Sequence, residues 1–296
     1  MNILVTGANG QLGSEMRVLA ASSSNRYIFS DIASIDGRET TILDITNIDA
    51  VRHLCKDSSI DVIVNCAAYT NVDGCEVNTD LAMSVNGTAV ANIAEAAKEN
   101  DATFIHISTD YVFPGNLPVD QIYTEDMEPN PVSAYGRTKL VGEQNAAKAE
   151  KYYILRTAWL YGLGGKNFVK TMLRLSKDRD ELTVVDDQHG SPTSTTTLCK
   201  IIESVMEKEP EYGVYHSTNE GFTTWCRFTR KIFELAGIST NVKAITSKEY
   251  KEMYPQSSDR PSNSKLSKEK LKAAGIVPVQ WEVALEEYLK EELKEN

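Results

Sequence analysis

The stretch NILVTGANGQLG (residues 2–13) constrains this chain more than any other. A β-rich run, NILVT (2–6), stops at glycines, and a helical pattern begins at Gln11. A strand that feeds a helix through so tight a turn opens a βαβ unit, which calls for a parallel sheet covered on both faces. The chain continues in that rhythm. Strand-like runs at YIFSD (27–31), TTILD (40–44), DVIVNCAA (61–68), TFIHIS (103–108) and YYILRTA (152–158) alternate with helical spacing. The helices are expected over 11–21, 47–55 with Thr46 as N-cap, 79–99, and from Pro131 to about Glu150. This predicts an α/β fold built on a doubly wound parallel sheet.

From about residue 159 the rhythm changes. Turn signals at GLGG (162–165), HGSPT (189–193), NEGF (219–222) and DRPSNS (259–264) break the pattern. Residues 1–158 are therefore expected to form a Rossmann-like dinucleotide domain. Residues 159–296 should be mainly a smaller mixed α/β substrate lobe, with later segments returning to the sheet.

Three sequence signals carry chemistry. The first is the glycine turn. Gly7 permits the tight bend, Gly10 lets backbone approach a pyrophosphate, and Gly13 lets helix and strand pack closely. The helix then offers free N–H groups to phosphate. Asp31 closes the second strand, where a carboxylate accepts from an adenosine ribose and repels a 2′-phosphate; this favours NADH, and a flexible loop still admits NADPH. The second signal is SAYGRTKLVGE (133–143). Tyr135 and Lys139 are four apart and share one helix face. A lysine cation beside a phenol lowers its pKa from about 10 toward useful acid–base work. The competing reading is an amphipathic helix with a buried Tyr and a surface Lys. The third signal, HISTDYVF (106–113), puts Ser108 and Thr109 at the carboxyl end of a buried strand, where open α/β sheets bind ligands.

Composition excludes other classes. A net charge of -11 argues against a broad nucleic-acid surface, which needs clustered Lys and Arg. No apolar run approaches the length of a membrane span. The start MNILVTGANG lacks a basic region, a long apolar stretch and a cleavage site, so a cytoplasmic protein is expected. Five Cys, with no CxxC spacing, read as reduced thiols. His106 reads as a satisfied core histidine, and His53, His189 and His216 are too scattered for a metal site.

With these motifs the chain resembles the extended short-chain dehydrogenase/reductase family along nearly its whole length. Further marks are VNCAAYTNVDGCE (64–76), STDYVFPG (108–115), ILRTAWLYG (154–162), NFVKTMLRL (167–175), DQHGSPT (187–193) and DRPSNSKL (259–266). The resemblance implies roles for matching positions. Gly10, Gln11 and Leu12 would contact a cofactor pyrophosphate. Asp31, Asp44 and Ile45 would surround its adenosine. Ala68, Tyr69 and Thr70 would lie along the dinucleotide with Ile107 behind it, and Tyr135 and Lys139 would contact the nicotinamide ribose. Thr109, Asp110 and Trp159 would contact a sugar. The implied catalytic set is Thr109, Tyr135 and Lys139, with NADPH or NADH as cofactor. Mg2+ dependence and a homodimer are also implied for some members, although no metal site is identifiable from spacing.

Other positions keep two readings. Arg260 would hold a nucleotide phosphate or be an exposed loop charge. Trp159 would stack on the sugar or belong to the core. Lys166 and Asn167 would line the pocket, or Asn167 would cap a helix.

The reaction expected is reduction of the C4 ketone of a nucleotide-linked 6-deoxysugar, with Tyr135 as proton donor, Thr109 orienting the oxygen and Lys139 holding the ribose. A dehydratase of this family places an Asp-Glu pair after the catalytic Thr, whereas here Thr109 precedes Asp110 and Tyr111. The alternatives are another nucleotide-sugar reductase or epimerase, and a non-catalytic regulatory subunit of the same fold. The acidic tail (286–296) is expected to be a solvated helix face.

Overall fold

The computed structural model describes residues 1–294. The first half runs β1 (Asn2–Thr6), α1 (Gln11–Ala20), β2 (Arg26–Asp31), β3 (Thr41–Ile42), α2 (Ile48–Asp57), β4 (Val62–Asn65), α3 (Val72–Val77), α4 (Thr79–Met83), α5 (Ala89–Glu99), β5 (Thr103–Thr109), α6 (Ala134–Ala146) and β6 (Tyr152–Thr157). The second half adds β7 (Leu160–Tyr161), α7 (Phe168–Leu175), β8 (Glu181–Val185), β9 (His189–Gly190), β10 (Thr193–Ser194), α8 (Thr195–Lys208), β11 (Gly213–His216) and β12 (Thr223–Thr224). It ends with α9 (Trp225–Ala236), β13 (Asn241–Ile245), α10 (Ser247–Met253), α11 (Glu269–Ala273) and α12 (Trp281–Glu292).

The main sheet has the order β11-β6-β5-β4-β1-β2-β3, and all its pairings are parallel. The order reverses between β1 and β4, which opens a crevice at their carboxyl ends. Side chains alternate across the pleat. Ile3, Val5, Val64, Ile105 and Leu155 pack under α1 and α8. Leu4, Ile63, Phe104 and Ile154 pack on the opposite face with α2 and α5. Burial on both faces is why these strands read as apolar runs rather than alternating ones.

Residues 195–216 come from the second half yet belong to the sheet, through α8 on one face and β11 at the edge beside β6. Leu271 of α11 and Ile276 pack on that face too, while much of the remaining second half has its own core, where Tyr161, Val169, Leu182, Phe228, Trp281 and Leu285 meet. β8 pairs with β13 in parallel within this lobe.

Several local expectations are corrected. Asn47, not Thr46, caps α2, accepting from the Ala50 N–H at 3.1 Å. Thr46 is instead committed to Asp44, which accepts from its N–H and hydroxyl. Pro131 lies outside α6, whose cap is Ser133, and the helix ends at Ala146. The helix expected over 79–99 is interrupted by a π-helical turn at Ser84–Thr88. The tail does present a solvated face, but only on one side of its helix. α12 buries Trp281, Leu285 and Leu289 in the lobe's core, while Glu286 and Lys290 pair on its outside. Positions 295 and 296 lie outside the described residues.

Candidate active site

The glycine turn is closed by packing that tolerates no side chain. Gly7 has φ +64°, and a Cβ there would lie 2.5 Å from the Ala67 nitrogen. At Gly13 a Cβ would lie 2.4 Å from the Gly7 carbonyl oxygen. Gly10 is the exposed N-cap of α1 and supplies no side-chain bond, so the first turn of the helix keeps free N–H donors. This is a cradle shaped for a phosphate group. Gln11 reaches across to the lobe, donating to the Leu160 carbonyl at 3.1 Å. The Leu12 side chain sits in the core, so only its backbone can face a ligand.

Beside this turn a 370 Å³ cleft is lined by Gly7, Gly10, Asp31, Asp44, Ile45 and Ala68, among others. Asp31 is fixed at its mouth. One carboxylate oxygen accepts from the Asn9 N–H at 2.9 Å, the other from the Ile32 N–H at 2.8 Å. The spare lone pairs suit a diol. Tyr69 is held by Asn86, which accepts from its N–H at 2.7 Å and donates to its carbonyl at 3.0 Å. Thr70 next to it is exposed. Asn86 lies on the π-helical turn and also donates to Thr138 of α6, coupling the cleft wall to the helix that carries Tyr135. Such turns are frequent at functional sites. An Asn-Gly dipeptide inside a helical pattern was the available signal for it.

The two hydroxyls at the end of β5 diverge. Ser108 turns away and donates to Glu143 at 2.6 Å. Thr109 stays at the site, where its hydroxyl donates to Asp110 at 3.0 Å and accepts from the Tyr111 N–H. Tyr111 packs edge-on against Tyr135, with centroids 5.5 Å apart. Asp110 is buried and is held by Ser264 (2.5 Å) as well as Thr109, so it braces the threonine rather than facing solvent. Burial pushes its carboxyl up to about 6.

The expected effect of Lys139 on Tyr135 needs correction. Lys139 is buried, and its Nζ donates inward to the Ile107 carbonyl at 2.6 Å. The phenol is raised well above its ordinary value by burial and by the Asp110 charge, with the Thr109 hydroxyl pulling the other way. Burial also draws Lys139 down to about 8, while Glu143 opposes that shift. A raised phenol keeps its proton at neutral pH, the state an acid needs.

In the lobe, Trp159 is neither a lone sugar platform nor a core residue. It is partly exposed, has φ +50°, and stacks on Trp225 with centroids 3.6 Å apart. Trp225, Phe168, Tyr250, Tyr254, Arg179 and Arg260 line a separate 390 Å³ pocket. Arg260 lines this pocket and also approaches Asp73 at 3.9 Å. Asn167 does cap α7, accepting from the Lys170 N–H at 3.0 Å, and Lys166 is exposed. Scattered aromatic and Arg positions gave sequence reasoning no spacing by which to find this pocket. Among the described residues no group of three or more His, Cys, Asp or Glu side chains could hold a metal.

The model of the RmlD substrate binding domain family matches residues 1–294. The spore coat polysaccharide biosynthesis protein SpsK of Bacillus subtilis is 38% identical over 290 residues, covering 98% of this chain and 97% of its own length. A dTDP-4-dehydrorhamnose reductase structure from Clostridium acetobutylicum superposes with TM-score 0.90 at 42% identity, covering 98% of this chain and 99% of that one. The Bacillus anthracis dTDP-4-dehydrorhamnose reductase, solved in complex with NADP, superposes with TM-score 0.88 at 37% identity over 98% and 99% of the two chains.

Proposed function

The chain belongs to the RmlD substrate binding domain family, of the extended short-chain dehydrogenase/reductase type, and from that premise we propose how it works. It is an NAD(P)H-dependent oxidoreductase that reduces the C4 ketone of dTDP-4-dehydro-6-deoxy-L-mannose to dTDP-L-rhamnose. The bound nicotinamide cofactor supplies the hydride. The residues fit such a group: the Gly7–Gly13 cradle takes the pyrophosphate, and the cleft of Asp31, Asp44, Ile45 and Ala68 takes the adenosine.

Tyr135 gives its proton to the alkoxide that develops at C4 of the sugar. Thr109, whose hydroxyl donates to Asp110 before substrate arrives, turns that proton to the sugar oxygen and sets its direction. Charge grows on oxygen as the ketone is reduced, so donors aimed there favour the transition state over the ground state. Lys139 holds the ribose side of the site from beneath β5. The aromatic pocket with Arg179 and Arg260 suits the substrate's nucleotide: flat rings for the base and guanidinium forks for the diphosphate.

NADPH is accepted beside NADH, because Asp31 is spent partly on backbone N–H groups and sits at an open mouth. Among the described residues no side-chain cluster supports a protein-held Mg2+. No helix is long and apolar enough to cross a membrane among the described residues. In this reading residues 1–158 bind dinucleotide, joined by α8 and β11, and the remainder of 159–296 binds nucleotide sugar.

The observation that carries the reading is Thr109 at the carboxyl end of β5, accepting from the N–H of Tyr111, whose ring packs edge-on against Tyr135. The test is turnover of dTDP-4-dehydro-6-deoxy-L-mannose with NADPH or NADH, followed at the dinucleotide and by identification of the product. One dinucleotide oxidised per dTDP-L-rhamnose formed is expected. Interconversion of sugars with no net dinucleotide consumption would make it an epimerase instead.

A further inference from the structure

Beneath the acid–base residues runs a buried chain of hydrogen bonds that fixes the state of a histidine. Asn65 ends β4, and its side-chain oxygen accepts from the Ala67 backbone N–H at 3.2 Å and from the Thr6 hydroxyl at 2.6 Å. A backbone N–H only donates, so the amide oxygen must face Ala67 and the amide nitrogen must face the other way. That nitrogen lies 3.1 Å from His106 Nδ1. It donates, so Nδ1 accepts, and the ring proton is on Nε2. Nε2 in turn lies 3.5 Å from Lys139 Nζ. Thr6, Asn65, His106 and Lys139 are all essentially excluded from solvent, at 1–2% exposure.

We propose that His106 is locked as its Nε2–H tautomer and serves as a positioning residue for Lys139, turning a ring N–H onto the lysine nitrogen and so favouring the neutral amine. An ammonium would set N–H against N–H across this contact, whereas an amine accepts the bond with its lone pair and still donates to the Ile107 carbonyl. The other groups around Lys139 are accounted for. Glu143, one turn on along α6, pulls toward the charged form, but its carboxylate is already engaged by Arg156 and Ser108. Cys66, beyond β4, is a part-buried thiol pushed up to about 12 and hence neutral. His106 itself is held far below its ordinary value by burial and by Lys139, so it stays neutral. The chain also ties the lysine to Thr6, the residue before Gly7, so the state of Lys139 is set from the same turn that cradles the dinucleotide.

This inference rests on Lys139 belonging to the acid–base site, but its test needs no turnover. In the full chain labelled with 15N-histidine, long-range 1H–15N correlations report the tautomer directly. A 13Cε-lysine label reports the titration of Lys139, assigned by its loss in Lys139→Arg. The wild type should show His106 with its proton on Nε2, and Lys139 titrating near about 8. His106→Asn places an amide oxygen where Nδ1 accepts and deletes the second N–H, so the Lys139 midpoint should rise by about one pH unit. His106→Gln retains an N–H near the Nε2 position and should restore the wild-type midpoint. A proton on Nδ1, a charged imidazolium, or an unmoved Lys139 midpoint in folded His106→Asn would each overturn the proposal. Should His106→Asn not fold, the wild-type tautomer decides alone. Failure of the functional reading would look different: full turnover in a Lys139 variant, with the His106 tautomer unchanged.

Discussion

Arg156 of β6 clasps Glu143 of α6 through two hydrogen bonds, Nε to Oε1 at 2.8 Å and Nη2 to Oε2 at 2.7 Å, in a region with side chains 4–5% exposed. The same carboxylate takes the Ser108 hydroxyl, so one buried group joins the helix of Tyr135 and Lys139 to the strand that ends in Thr109. Removing it strands a guanidinium in the interior. Glu143→Ala should cost about 3–5 kcal/mol of stability, read from urea midpoints. A loss no larger than that of an exposed pair such as Lys290–Glu286 would mean the clasp does not hold the two elements together.

Asp110 gives the chain a pH-dependent stability with a definite sign. Its carboxyl rises from an ordinary 3.8 to about 6 on folding. A raised acid stabilises the fold fully below the unfolded pKa, and that contribution is lost as pH climbs through the folded one. Relative to Asp110→Asn, the wild type should therefore lose about 2–3 kcal/mol between roughly pH 4 and 7. Parallel stability curves for the two proteins would show that Asp110 does not titrate in this window.

Asp31 should govern the choice of dinucleotide. In the proposed reading its carboxylate accepts from a ribose and repels a 2′-phosphate, and Asp31→Ala would lose both. The ratio of kcat/KM for NADPH over NADH should rise about tenfold or more. An unchanged ratio would remove Asp31 from cofactor selection.

The sheet was readable in the sequence because its strands are buried on both faces and its first turn is built from glycines that geometry requires. Gly7 and Gly13 could be assigned from spacing alone, and a Cβ at either would strike backbone. Tyr135, Lys139 and Thr109 were legible as types and as chain order. The direction of Lys139 was not, since helical spacing says which face a side chain shares but not whether it turns inward to a strand carbonyl. Asn65, Asn86 and Glu143 escaped notice because each acts by closing a hydrogen bond to a residue distant in sequence. The Trp159 stack was hidden for the same reason: its partner Trp225 is a different element's first residue, and its left-handed backbone leaves no mark in composition.

The central claim is that the Tyr135 phenol delivers the proton to the substrate oxygen. The direct measurement is single-turnover reduction of dTDP-4-dehydro-6-deoxy-L-mannose by wild type and Tyr135→Phe, with NADPH affinity measured on both. The account predicts a rate lower by about 10²–10⁴-fold in the variant, with dinucleotide affinity changed by no more than about threefold. Equal rates in the two proteins would contradict it.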